Sequence, residues 1–422
     1  MKITTNTTTP TPAPLTTPLP VTLPSPEPHP SSEPHPSTQP YPSAQPYPSA
    51  QLYPSAQLGA LTRFRRPRLL PGLQVLHRGR GEVQVGTDPR HAVVLLGVPE
   101  SIVRLLHTLD GRDTTAELTA RAGPVEPSTL DQVLSELAHY GLLEDAATAE
   151  TSANTAVPPR LTADCSWWAL RSAQERMHAN IRRMQAAVLI HGGGRVGVSL
   201  ATLLAAAGVG WVSTVTDGTV QPEEVGCGYL EEDVGKRRSI AIRKAIVRTA
   251  PATNTSPLPR TRKPDLVLLA DAVVPDPGLV ARLFRDGVAQ LVVWAGEGVG
   301  MVGPLVVPGR SPCLHCVDLH KTTSEPAWPA LATQLAGRPQ LADLASAQAS
   351  AAFAVSQALR VLDGPHRGGE PLPVDPTDLP VWGAEIEIDT YTSETNRTAW
   401  PKHPFCTCSA AVRGSESKEG GN

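Results

Sequence analysis

The chain lacks any run of about 18 apolar residues of the kind that spans a bilayer, and its start, Met1-Lys2-Ile3-Thr4-Thr5-Asn6, lacks the apolar segment of a secretory signal. A cytoplasmic protein is therefore expected. It also lacks an excess of charge of either sign, since 37 Lys plus Arg stand against 40 Asp plus Glu, for a net charge of −3. So balanced a chain offers no bulk field for nucleic acid or an anionic membrane, and neither is expected as a partner. Cysteine is sparse, six in 422 residues. That is too few for a disulfide scaffold, so their spacing is read for metal binding or catalysis.

Proline is what the chain has in excess, 44 residues or about 10% against a usual 5% or so. Sixteen of them fall in the first 60 positions, which hold three charged side chains (Lys2, Glu27, Glu33). The same stretch repeats Tyr-Pro-Ser-Ala-Gln from Tyr41, Tyr47 and Tyr53, after Pro-His-Pro-Ser at 28–31 and 34–37. Residues 1–60 cannot bury a core and read as a disordered proline-rich tether, with docking to a proline-binding module as the sharper alternative.

Length alone suggests two to three domains at about 150 residues each. Over 62–145, short alternating apolar runs at 73–76, 82–85 and 91–96 read as a three-stranded meander. Helical stretches at 99–109, 114–122 and 128–140 follow, the second opened by a capping box of Thr114 with Glu117. Three strands and then three helices fit a winged-helix domain. DNA is a poor partner for it, because the third helix carries Asp131 and Glu136 with no Lys or Arg. Arg63, Arg65, Arg66, Arg68, Arg78 and Arg80 form a basic cluster, readable as a solvated edge or as the complement of an acidic peptide.

After a linker at 146–160, residues 161–410 read as an α/β domain with a mostly parallel sheet, and 411–422 as a disordered tail. Its signature is an apolar strand at 186–191, a glycine turn with Gly192, Gly194 and Gly197, and an apolar helix. This Gly-x-Gly-x-x-Gly lets a backbone approach a phosphate at a positive helix end. Asp217 stands 20 residues after Gly197 at the end of the next strand, where a carboxylate meets a ribose hydroxyl. The turn by itself fits a nicotinamide or flavin dehydrogenase, an adenylating enzyme, or a turn kept for packing. Further strands at 266–269 and 291–294 alternate with helices at 237–248 and 277–285, and 331–362 reads as a packed helix pair, with a dimer face as the other reading.

The cysteines narrow the choice. Cys313-Leu314-His315-Cys316 is a Cys-x-x-Cys, and Cys406-Thr407-Cys408 follows 90 residues after it. Two close thiol pairs supply a closed tetrahedral zinc site. His403 or His315 in place of one sulfur stays open, as does a set of unligated thiols.

Taken in order, the glycine turn, Asp217, Gly-Lys-Arg-Arg at 235–238, Asp271 after an apolar strand and Cys313-x-x-Cys316 resemble the ThiF, MoeB and ubiquitin-activating superfamily. The resemblance covers about residues 180–320, extending to Cys408. It implies a Rossmann-like ThiF domain that adenylates a protein's C-terminal carboxylate with ATP and magnesium. It places Gly192, Gly194 and Gly197 on the nucleotide, Asp217 on the ribose, Arg238 at the phosphate-binding lysine, and Asp271 on magnesium. This sequence departs from the family at 223–229, Glu-Glu-Val-Gly-Cys-Gly-Tyr, where an Asn-Leu-x-Arg-Gln segment is usual. Losing such a donor typically costs a factor of about 10²–10³ in rate, so weak adenylation is expected. Cys227 as a thioester nucleophile is disfavoured, because Glu223 and Glu224 would raise its pKa.

A winged helix before a degenerate ThiF-like domain, with Cys-Leu-His-Cys-Val-Asp-Leu-His from Cys313 and Pro-Ala-Trp-Pro-Ala-Leu from Pro326, is similar to the leader-peptide-binding partner proteins of thiazole/oxazole-modified peptide biosynthesis. That likeness implies that the small domain takes a precursor leader as an added strand, while the ThiF-like domain scaffolds a separate cyclodehydratase and forms a dimer. The alternative is a working ATP-dependent adenylyltransferase. A nicotinamide-dependent oxidoreductase fits less well with the cysteines and the motif order.

Overall fold

The computed structural model describes residues 49–51, 64–123, 127–149, 157–172, 176–364 and 379–408. The rest of the 1–60 tail and the 411–422 tail lie outside the described residues.

The small domain is built as its alternation predicts. Among the first strands, β1 (Ser49–Gln51), β2 (Pro67–Leu69), β3 (Val75–Gly79), β4 (Glu82–Val85) and β5 (Val93–Leu96), the last three make the expected antiparallel meander. Helices α1 (Glu100–His107), α2 (Thr115–Ala122) and α3 (Pro127–His139) follow. The Thr114–Glu117 capping box is in place, with the Glu117 N–H donating to Thr114 Oγ1 at 3.3 Å and the Thr114 N–H to Glu117 Oε2 at 2.7 Å. Val83, Val85, Val93 and Leu95 pack against Ile102, Leu106, Leu118, Leu130, Leu134 and Leu137, all buried. Each such leucine contributes about 1.5–3 kcal/mol by leaving water.

Two features of this domain lie beyond any local sequence pattern. β2 pairs antiparallel with β6 (Leu143–Asp145), bracketing the helices. Burial opposes ionisation of Asp145, yet the N–H groups of Arg65, Arg66 and Ala147 hold its carboxyl below the usual range. Arg68 of the basic cluster bonds Glu144 at 2.8 Å, so part of that cluster serves the domain's own closure. The second feature is β1, which adds to the free edge of β5 in parallel, Ser49, Ala50 and Gln51 standing opposite Val94, Leu95 and Leu96. The sheet order is β1-β5-β4-β3, and its outermost strand comes from the proline-rich stretch.

The short α4 (Ala146–Ala149) leads on, and then α5 (Thr162–Ser172), whose Leu170 packs against the small domain's core. Helix α6 (Arg176–Gln185) precedes the large sheet. Its elements are β7 (Ala187–His191), α7 (Arg195–Ala206), β8 (Trp211–Val215), α8 (Arg238–Thr249), β9 (Leu266–Ala270), α9 (Pro277–Arg285), β10 (Gln290–Gly296) and β11 (Val299–Val306). After these come α10 (Leu314–Ser324), α11 (Trp328–Leu335), α12 (Leu344–Asp363), β12 (Ala384–Asp389) and β13 (Glu394–Ala399).

The order is β13-β12-β11-β10-β9-β7-β8. It is parallel from β8 to β10, as the strand and helix alternation predicts, and antiparallel from β10 to β13. The half that carries the glycine turn is thus parallel, and antiparallel strands extend it. The switch is made by the two-residue turn Glu297-Gly298, with φ of 55° and 82°, a left-handed pair suited to a tight hairpin.

The expected packed helix pair is corrected in part. α12 buries Ala347, Ser350, Ala351, Ala354 and Ala358 against α7, β10 and β11, whereas α11 buries none of its residues. The C-terminal end of α12 is held by a buried ion pair. Arg183 Nε lies 2.9 Å and NH2 2.6 Å from the two carboxylate oxygens of Asp363, and NH1 donates to Ala207 O at 3.2 Å. Both side chains are shielded from water, at 3% and 0% exposure. Asp363→Ala leaves that guanidinium buried without its counterion, and is expected to lower the unfolding free energy by about 3–5 kcal/mol. An unchanged urea midpoint would overturn this.

Candidate functional site

The glycine turn joins β7 to α7. Gly192 has φ 129°, a conformation open only to glycine. Gly194 is the N-cap of α7 and has no side chain with which to cap it, so the first amides of the helix need an external acceptor. That acceptor is Asp271, just after β9. Its Oδ2 accepts from Gly194 N at 2.8 Å and its Oδ1 from Gly197 N at 3.2 Å.

The three motif glycines are shaped to this carboxylate. A Cβ on Gly192 would stand 2.6 Å from Asp271 Oδ2, and one on Gly194 2.9 Å from Oδ1. On Gly197 it would stand 3.0 Å from Oδ2 and 2.8 Å from the Gly192 backbone. Asp271 itself has φ 69° and is buried. Burial pushes its carboxyl up, while the Gly194 and Gly197 N–H groups pull the other way. The positive end of α7, suited to a phosphate, here receives an anion of the chain.

Arg238, the first residue of α8, is likewise engaged. Its Nε lies 3.2 and 3.0 Å from the two Glu224 oxygens, and its NH2 is 3.0 Å from Oε1. NH1 donates to the main-chain oxygen of Asp217 at 3.0 Å. Glu224 is buried and also accepts from Gln221 N at 2.8 Å. The Asp217 side chain is exposed just past the end of β8.

The structure therefore brings Gly192, Gly194, Gly197, Asp217, Arg238 and Asp271 to one end of the parallel strands, with Glu224 among them. The departure from the family's segment at 223–229 is legible in the sequence, whereas the pairing of its Glu224 with Arg238 is not. Two other residues were missed. The Tyr229 hydroxyl donates to Gly193 O at 2.8 Å, and Arg195 donates to Ala342 O at 2.9 Å and Val225 O at 3.3 Å. Cys227 is buried, and burial pushes its thiol up, which agrees with the disfavoured nucleophile.

The second constellation is the cysteines. Cys313 is the N-cap of α10, Cys316 lies in its first turn, and Cys406 and Cys408 follow β13. The Sγ–Sγ separations are 3.8 Å for 313–316, 3.5 Å for 313–406 and 3.6 Å for 316–408, and all four sulfurs lie within 4.8 Å of one another. A tetrahedron with metal–sulfur bonds near 2.3 Å has edges of about 3.8 Å. Neither His315 nor His403 belongs to the group, and His315 is exposed. Close by, His320 Nε2 lies 3.0 Å from Pro401 O, and Lys402 Nζ donates to Gly309 O at 3.0 Å.

Residues 169–282 match the ThiF family, and no curated protein matches the chain. Among solved structures, E. coli MccB with ATP is similar at 13% identity, covering 81% of this chain and 99% of that one, with a TM-score of 0.59. The microcin C7 biosynthetic enzyme MccB in complex with N-formylated MccA gives the same identity, coverage and TM-score. PaaA is similar at 16% identity over 78% of this chain and 98% of that one, with a TM-score of 0.56. With the glycine turn and the order of strands, the match over residues 169–282 and the likeness to these structures show a ThiF-like fold for this part of the chain.

Proposed function

We propose that this protein is a leader-peptide-binding scaffold for azole-forming peptide modification, with an adenylation site that no longer serves ATP. The observation that carries the reading is that both anion-receiving features of the nucleotide site hold carboxylates of the chain. Asp271 occupies the amides of α7, and Glu224 neutralises Arg238. A triphosphate would bring several negative charges against two carboxylates, with no Asn/Arg segment to offset them. Asp271 on the glycine amides supports a turn that does not take a nucleotide, and a carboxylate that does not serve magnesium.

Two observations support the peptide role. The β5 edge accepts an added strand, the geometry by which extended peptides bind sheet edges. The complexes of MccB with MccA support a polypeptide partner for a chain of this fold. A separate cyclodehydratase would supply the ATP chemistry, and the ThiF-like domain would pair into a dimer in the cytoplasm. Among the described residues no helix is long and apolar enough to cross a membrane.

The four cysteines fit zinc by spacing and burial. Cys313, Cys316, Cys406 and Cys408 would hold it in a closed site that ties the segment after β13 to α10. Such an ion supplies structure and no reaction step.

The second reading, an active adenylyltransferase, is favoured by the retained glycines and by the MccB structure with ATP. Titration with ATP and magnesium separates the two, and no saturable binding and no pyrophosphate exchange are expected. Peptide-dependent exchange would instead make the chain an enzyme. A labelled precursor leader encoded nearby is expected to give a saturating anisotropy curve with the purified chain, and a flat curve ends the scaffold reading. Cys313→Ser is expected to release about one equivalent of zinc and lower the melting temperature, an outcome that unchanged zinc content contradicts.

A further inference from the structure

The strand β1 belongs to a repeat. Ser49, Ala50 and Gln51 close the middle Tyr-Pro-Ser-Ala-Gln copy, and the same three residues close the copies that begin at Tyr41 and Tyr53. The pairing begins at Ser49 because Pro48 has no N–H to give a ladder. The middle copy supplies β1, and the three copies share one sequence of backbone donors and acceptors.

Within the small sheet, β5 pairs with β4 on one side and β1 on the other. Without β1, the outer N–H and C=O groups of Val93–Leu96 would form an open edge next to a buried apolar core, the kind of edge that takes up foreign strands. We propose that the Tyr-Pro-Ser-Ala-Gln repeats are a tethered occupant of the β5 edge, which an incoming peptide strand must displace. The occupancy stands on the β1–β5 register alone, while its role as a filter on leader binding rests on the scaffold reading above.

A strand of three residues is a weak ligand when free. Attached to the same chain, it acts at an effective concentration on the order of millimolar, and three equivalent copies raise that further. A longer extended peptide with side chains that fit the sheet's pockets outcompetes it, whereas a peptide matching only in backbone does not. The tail therefore sets a threshold of affinity at an edge that would otherwise accept strands with little discrimination.

The test uses the full chain. In a parallel ladder alternate N–H groups face the partner, so two adjacent prolines remove a ladder donor whatever the phase. The variant carries Ala44→Pro, Gln45→Pro, Ala50→Pro, Gln51→Pro, Ala56→Pro and Gln57→Pro together, because any copy left intact can replace another. Amide hydrogen exchange over Val93–Leu96 is expected to speed up in the variant, and unchanged exchange overturns the proposal.

A labelled peptide of residues 41–57, titrated to millimolar concentration, is the second probe. If the edge of the parent is free about one tenth of the time, this peptide binds the variant about tenfold more tightly than the parent. Equal binding to both, or none to the variant, also overturns the proposal. The two ideas fail separately. A precursor leader that binds neither protein, while the repeat peptide binds the variant, removes the leader reading and leaves the docked tail. A leader that binds both alike, with exchange unchanged, does the reverse.

Discussion

The placement of one buried carboxylate governs the larger domain. Helix α7 begins at a glycine without a capping side chain, and its first amides must be satisfied inside a core that excludes water. Asp271 meets that demand, and in doing so it fixes the end of β9 against the turn after β7. Its own carbonyl receives the Gln340 N–H at 2.7 Å, so the segment that leads into α12 is set by the same residue. Gly192, Gly194 and Gly197 give this side chain its clearance, since a Cβ on any of them would stand within 3.0 Å of it.

The second level of organisation is long-range fastening between segments that the sheet does not connect. Arg183 and Asp363 join α6 to the end of α12 across 180 residues, and Arg195 reaches main-chain oxygens on two separate loops. The thiol cluster does the same for the segment after β13, helped by His320 with Pro401 and Lys402 with Gly309. Among the described residues these polar ties stand where helix ends and loops meet, while Val188, Ile190, Leu266, Leu268, Leu291 and Val293 fill the space between sheet and helices.

What the sequence made legible follows from how local each signal is. The meander, the three helices with the Thr114–Glu117 cap, the β7-turn-α7 unit and the Cys313/Cys316 pair rest on patterns within about a dozen residues, and all are present. The antiparallel half of the sheet was not read, because its cue is the pair Glu297-Gly298, too short to stand out. The β2–β6 pair joins residues about 76 apart, beyond any local pattern. For the site, the family resemblance implies that Glu223 and Glu224 stand where a cation is usual. Only the fold shows that Glu224 closes on Arg238 fourteen residues away. The Asp271 carboxylate was assigned by resemblance to a metal, and its geometry places it on the glycine amides.

The thiol cluster also bears on the order in which the protein is made. Cys313 and Cys406 are 93 positions apart, and β12 and β13, which extend the sheet beyond β11, lie in the same late stretch. A ribosome adding roughly 5–20 residues each second leaves the first thiol pair exposed for several seconds before the second emerges. Until then the sheet ends at β11 with an open edge. Completion of the large domain thus waits on its late stretch, and the interval is a window in which chaperones, stray metals or oxidants meet Cys313 and Cys316 first.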